Sequence, residues 1–277
     1  MNDRILLGTQ SWNYRAWIGP FYAAGTKAAD MLGFYGRVFS TIEVDATFYG
    51  TPAEPVLEAW VQQVPDTFQF SLKLPQQITH ERRLIGVDEP LGRFTERIRC
   101  LGRVVGPILV QLSPDFYPTA ENRGIFKLFL GKLDKEMRWA VEFRHHAWVT
   151  EDILETLERH DIALALVDGR WHRRERMLEL AERPTANFAY IRWMGYGREI
   201  TDFSRPQRDH TKVLQGWGRA IERLTQTVDV VYGYFNNQFE GHSPHSVRIM
   251  QRIVGQEPVD PTALHAQAEL FGSAAPR

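Results

Sequence analysis

The stretch Trp139-Ala140-Val141-Glu142-Phe143-Arg144 is short and mixes aromatic, aliphatic and charged residues. It reads as a β-strand. Side chains alternate sides along a strand, so Glu142 and Arg144 share one face and Val141 and Phe143 the other. In a closed barrel the apolar face would meet surrounding helices and the charged face would look inward. Seven similar runs lie on either side: residues 5–7, 41–44, 68–74, 108–112, 163–167, 188–193 and 230–235. Each is bounded by Gly, Pro, Asn or Asp.

Apolar stripes at helical spacing separate these runs. One is Leu57, Trp60, Val61 and Val64, after Thr51-Pro52-Ala53-Glu54, which reads as a capping box with proline at the first helical position. Others are Leu91, Phe94, Ile98 and Leu101; Phe126, Phe129, Leu130 and Leu133; Ile153, Leu154 and Leu157 behind a Thr150 cap; Val213, Trp217, Ile221 and Leu224; and Val247, Met250 and Val254. The connection from Asp168 to Asn187 has the weakest pattern. Eight strands alternating with helices predict a single-domain α/β fold, a (β/α)8 TIM barrel over residues 1–256, with a loosely packed tail over 257–277. The competing doubly wound sheet often carries a glycine-rich first turn, and Gly8-Thr9-Gln10-Ser11 is not one.

The chain has 277 residues, 43% hydrophobic and 24% charged, an ordinary globular balance. Lys plus Arg total 33 against 34 Asp plus Glu. Bulk charge therefore excludes a strongly basic nucleic-acid binder while leaving room for a local patch. The one cysteine, Cys100, rules out an intrachain disulfide and a cysteine-rich zinc site. No apolar run is long enough for a membrane helix, and Ile5-Leu6-Leu7 is too short for a signal-peptide core. A cytoplasmic protein without membrane contact is expected.

Polar residues collect at the strand ends: Gln10, Glu43 with Asp45, Lys73, Gln111, Glu142 with Arg144, Asp168, Arg192 and Asn236 with Asn237. A barrel brings such ends to one mouth, where chemistry is usually carried. Glu43 and Glu142 are the acid/base candidates, and His80 is a candidate proton carrier. Lys73, Arg144 and Arg192 suit an anion. Gln111, Asp168 and Asn236 would orient hydroxyls or neighbouring side chains, and Asp45 adds charge to the mouth. Trp12 leads a set of aromatics, with Tyr14, Trp17, Phe48, Tyr49 and Trp148, suited to sugars or nucleobases. A buried ion-pair network without a ligand is the bland alternative for the charges. No metal-binding spacing is present, and no metal or cofactor is expected. The run 169–176, Gly-Arg-Trp-His-Arg-Arg-Glu-Arg, follows the sixth strand and offers arginines to phosphates.

Several motifs carry a likeness. Gly8-Thr9-Gln10-Ser11-Trp12-Asn13-Tyr14, Val44-Asp45-Ala46-Thr47-Phe48-Tyr49, Thr79-His80-Glu81-Arg82-Arg83-Leu84, Val141-Glu142-Phe143-Arg144-His145, Tyr190-Ile191-Arg192 and Tyr234-Phe235-Asn236-Asn237 resemble, in order, the family catalogued as domain of unknown function 72, the YecE-like proteins. The resemblance implies a TIM barrel and supplies no activity. Gln10, Asp45 and Ser113-Pro114 depart from the family's more usual serine, asparagine and paired prolines.

Three functions remain open: an enzyme-like barrel, hydrolase or isomerase, binding a small polar anionic or sugar-containing ligand; a metal-dependent, endonuclease IV-like barrel, with nucleic acid the less favoured partner; and a binding or regulatory barrel without turnover. Oligomeric state is not readable from the sequence.

Overall fold

A computed structural model describes residues 4–265. Eight parallel strands follow one another around the sheet: β1 (Ile5–Thr9), β2 (Thr41–Val44), β3 (Gln69–Lys73), β4 (Val105–Gln111), β5 (Trp139–Glu142), β6 (Ala163–Gly169), β7 (Phe188–Gly195) and β8 (Val230–Phe235). Each strand pairs with its sequence neighbour from β2 to β8, and β8 pairs with β1. A single bridge, Gln10 to Glu43, completes the circle between β1 and β2. The result is the (β/α)8 TIM barrel.

Ten helices accompany the strands among the described residues: α1 (Ala28–Val38), α2 (Ala46–Tyr49), α3 (Glu54–Val61), α4 (Asp88–Ile98), α5 (Ala120–Leu130), α6 (Glu151–Arg159), α7 (Arg174–Leu180), α8 (Thr211–Leu224), α9 (Asn237–Glu240) and α10 (Ser243–Ile253). The sequence pattern predicts neither α1, which buries Met31, Leu32, Phe34 and Tyr35, nor α7. The expected capping box is not formed. Helix α3 starts at Glu54 with Ala53 as its cap residue, and no side chain caps it. Thr150 does precede α6, but its hydroxyl accepts from Arg123 and caps nothing. Beyond residue 256, Leu264 packs on the core and a ring nitrogen of His265 lies 2.8 Å from the Phe21 carbonyl. Residues 266–277 of the expected tail lie outside the described residues.

Two apolar layers follow from strand alternation. Ile42, Val44, Phe70, Leu72, Val141 and Ile191 face the helices and join the large outer core. The opposite faces form a smaller inner cluster that includes Leu109, Ala140, Ala165, Val167, Tyr190 and Tyr234. The alanines of β5 and β6 leave room for the tyrosines of β7 and β8, so large and small residues interlock. Buried phenols need partners. Tyr234 shares a 2.9 Å hydrogen bond with Thr41, and Tyr190 a 2.6 Å bond with Ser71, both across the barrel.

The β1–β2 seam is closed by a side chain. Tyr35 Oη, from α1, accepts from Thr9 N at 2.9 Å and donates to the Thr41 carbonyl at 3.1 Å. Gly8 is required there, because a Cβ on it would lie 2.0 Å from the Thr41 carbonyl oxygen.

Candidate functional site

The inward face at the C-terminal end of the strands carries Gln10, Glu43, Lys73, Gln111, Glu142, Arg192 and Asn236, all on the parity of the inner layer. At its centre is Arg192. Its Nη2 and Nε donate to the two Glu43 oxygens at 2.6 and 2.9 Å, and its Nη1 donates to Glu142. Tyr190 donates to Glu43 at 2.6 Å, and Gln111 donates to Glu142 Oε1 at 2.9 Å. Glu43, Glu142 and Arg192 are all buried. Arg192, expected as a ligand clamp, is instead committed to the two carboxylates expected as the acid/base pair. Burial explains this: a lone guanidinium there would be far costlier than a paired one.

The two carboxylates are not alike. Burial pushes Glu43 upward; Arg192 pulls against it and Asp45 adds to the rise. Burial also acts on Glu142, but Arg192, Arg144 and the Gln111 hydrogen bond hold it down at about 2. Glu142 is thus firmly ionised, while Glu43 is the more readily protonated.

Lys73 sits at the rim of this network. Its ammonium is 3.8 Å from Asp45 and 3.8 Å from the centroid of the Phe48 ring. The side chain is only 10% exposed, and Nζ makes no hydrogen bond among the described residues. Burial lowers its pKa, and Arg192 adds to that against Asp45 and Glu142. Asp45 precedes α2 and is about a third exposed. His80 lies in the π-helical turn Gln77–Glu81, with its ring edge-on to Phe48. Burial, Arg144 and Lys73 together lower it to about 4, so its imidazole is neutral near pH 7. Its Nδ1 pairs with the Thr79 hydroxyl at 2.8 Å. Arg144 reaches Glu142 through Nε at 3.3 Å. Its two Nη groups are unpaired among the described residues.

Asn236 donates to Gln10 Oε1 at 2.7 Å, and Gln10 Nε2 lies 2.8 Å from Met194 Sδ. A cavity of about 400 Å³ opens here, lined by Glu142, Arg144, Arg170, Trp171, Arg198 and Asn236 among others. Gln111 Oε1 is buried without a hydrogen-bond partner among the described residues.

Two expected site residues stand apart. Asp168 is turned outward, sharing parity with Leu164 and Leu166 of the outer core. It is fully buried and accepts from Arg174, Trp217 and Tyr196, tying β6 to α7 and α8, so it does not orient groups in the mouth. Trp12 packs edge-on against Trp60 of α3 at 5.2 Å, and no described contact joins it to the charged network. No group of three His, Cys, Asp or Glu side chains that could hold a metal occurs among the described residues, and no helix among them is long and apolar enough to cross a membrane. Tyr190 is the network residue that sequence reading missed; its signal is its position two residues before Arg192, on the same face.

The family model described as protein of unknown function DUF72 matches residues 6–269. The chain belongs to that family. Among curated DUF72-like relatives, YunF of Bacillus subtilis is 24% identical over 91% of this chain and 95% of its own length. YecE of Escherichia coli K12 is 29% identical over 51% of this chain, and the match spans about half (48%) of YecE's length. Among solved structures, a DUF72 protein from Thermotoga maritima has a TM-score of 0.78 at 22% identity, covering 91% of this chain and 99% of that one. The GH53 catalytic domain from Ignisphaera aggregans has a TM-score of 0.54 at 9% identity, covering 93% and 98%. At such identities these structures share the fold, which hosts many chemistries and transfers none of them.

Proposed function

We propose that this DUF72 barrel binds a small polar ligand, anionic or sugar-containing, at its C-terminal mouth. The observation that carries the reading is Lys73: a nearly buried ammonium with no hydrogen bond and its nearest carboxylate at 3.8 Å. Its donors are partly shielded from water and held by no protein acceptor among the described residues, and an anionic oxygen would satisfy them. Arg144 offers two further Nη groups and would grip the same anion. Asp45 and Phe48 position Lys73; Arg192 and Glu43 position Glu142. Glu142, ionised and lining the cavity, would accept from a ligand hydroxyl, helped by Asn236 and by the unpartnered Gln111 carbonyl oxygen. His80, held at about 4, is a weak base near pH 7 and would serve as a neutral hydrogen-bond partner for the ligand. The cytoplasm is the compartment proposed for it, in keeping with its single free cysteine, Cys100.

The second reading is a binder without turnover, favoured because both candidate acid/base carboxylates are tied to Arg192. Thermal-shift measurement against a library of small carboxylates, phosphates and sugar acids tests the proposal. At least one should stabilise the wild type beyond chloride at equal ionic strength, and Lys73→Met should weaken it about tenfold or more, the scale of one lost charged hydrogen bond. If no anion stabilises the wild type, the reading is wrong. Product analysis with the stabilising compound separates enzyme from binder.

A further inference from the structure

The arginine run after β6 is not absorbed by the Lys73 site. Arg174 is consumed by Asp168, and Arg176 pairs with Glu179. Arg170 is different: its one described contact lays its guanidinium 4.4 Å from the centroid of the Trp171 ring. Arg198, in the loop after β7, has no ion pair or hydrogen bond among the described residues. Both line the cavity of about 400 Å³ that Arg144 also lines. Three guanidinium groups therefore border one space against one carboxylate, Glu142, which Arg192 already pairs from below. The nearest acids of the loops are paired: Asp168 holds Arg174, and Glu199, whose carboxylate lies against Gly197, holds Arg208.

Part of the lining of this space is glycine: Gly169, Gly195 and Gly197. Gly195 has φ +73°, and a Cβ there would lie 2.4 Å from the Gln238 carbonyl oxygen, so the β7 loop is pressed onto the segment after β8. Glu142, Asn236 and Gln238 face the same cavity and suit hydroxyl groups. Like charges gathered around one cavity repel one another unless an anion lies between them, and guanidinium forks match phosphate oxygens in geometry and number.

We infer that Arg144, Arg170 and Arg198 form a phosphate subsite, so that the ligand is a phosphorylated, hydroxylated small molecule such as a sugar phosphate or nucleotide. This deepens the reading above and rests on it. The phosphoryl group lies among the three arginines, and the hydroxylated part reaches Glu142 and Asn236. Trp171 stands beside Arg170, where a nucleobase would find an aromatic face.

Calorimetric titration of the full chain with inorganic phosphate, ribose 5-phosphate, AMP and unphosphorylated ribose tests this. The phosphorylated probes should bind and ribose should not, and raising salt should weaken them. Arg170→Gln/Arg198→Gln should lose at least tenfold in affinity for them with an unchanged Tm, since both residues are exposed. AMP binding tighter than ribose 5-phosphate supports a nucleotide; equal binding supports the phosphate group alone. Unchanged affinity in the double variant overturns the subsite, as does binding of a single-stranded oligonucleotide with no mononucleotide binding. If small carboxylates bind in a Lys73-dependent way and phosphates do not, only this inference falls. If neither binds, both fall.

Discussion

At the scale of single residues, the barrel interior is decided by which charges saturate one another. Arg192 gives three of its five N–H donors to two carboxylates and is held in place by them; Lys73 Nζ donates no hydrogen bond among the described residues and has Asp45 at 3.8 Å. Two cations at strand ends thus take opposite roles according to their neighbours. Removing Arg192 leaves the buried Glu43 without its ion-pair partner and Glu142 with Arg144 alone. Arg192→Met is expected to cost about 3–5 kcal/mol, as breaking a buried pair does, read as a lower urea midpoint. A loss below about 1 kcal/mol would show that the carboxylates find other partners.

At the scale of elements, strand parity was legible in the sequence and its consequences partly so. Glu142 with Arg144 and Val141 with Phe143 sort to the faces that alternation assigns. The outward turn of Asp168 follows from the same rule, because it keeps step with Leu164 and Leu166 while Ala163, Ala165 and Val167 look inward. In β6 both faces are apolar, so periodicity alone did not say which was the barrel face. Nor was the β1–β2 seam legible, since it depends on a phenol from α1, which local sequence alone does not bring to that seam. Tyr35→Phe would leave the buried Thr9 N–H without its acceptor and remove the Thr41 carbonyl's donor. A loss of about 1–3 kcal/mol is expected, the penalty for a buried unsatisfied group. Hydrogen exchange should show faster opening confined to β1 and β2; uniform loss across the barrel would place the weakness elsewhere.

At the scale of the whole molecule, a near-zero net charge still leaves three arginines, Arg144, Arg170 and Arg198, lining one cavity. Burial, with Arg144 and Lys73 nearby, shapes the acid response of the fold. His80 is held at about 4 against an ordinary 6.5, so the folded state binds fewer protons than the unfolded one between those values. Its contribution to stability is complete above pH 6.5 and is lost as pH falls toward 4. Glu142, at about 2 against 4.5, acts in the same sense over the lower window. Glu43, pushed upward, acts oppositely. His80→Gln should therefore flatten the stability profile between pH 6.5 and 4 and leave it unchanged above, measured by urea unfolding at a series of pH values. An unaltered slope would mean that His80 titrates normally.

The sequence by itself determined eight strands, the barrel they build and the set of polar side chains at their ends. Those follow from local alternation and helical spacing, which need only neighbours in the chain. Only the tertiary structure decided which of those side chains are paired and which are free. Arg192 and Glu43 are 149 positions apart, and nothing local links them. Closure of the cylinder sets their distance, and the high cost of an uncompensated charge away from water then assigns the partners.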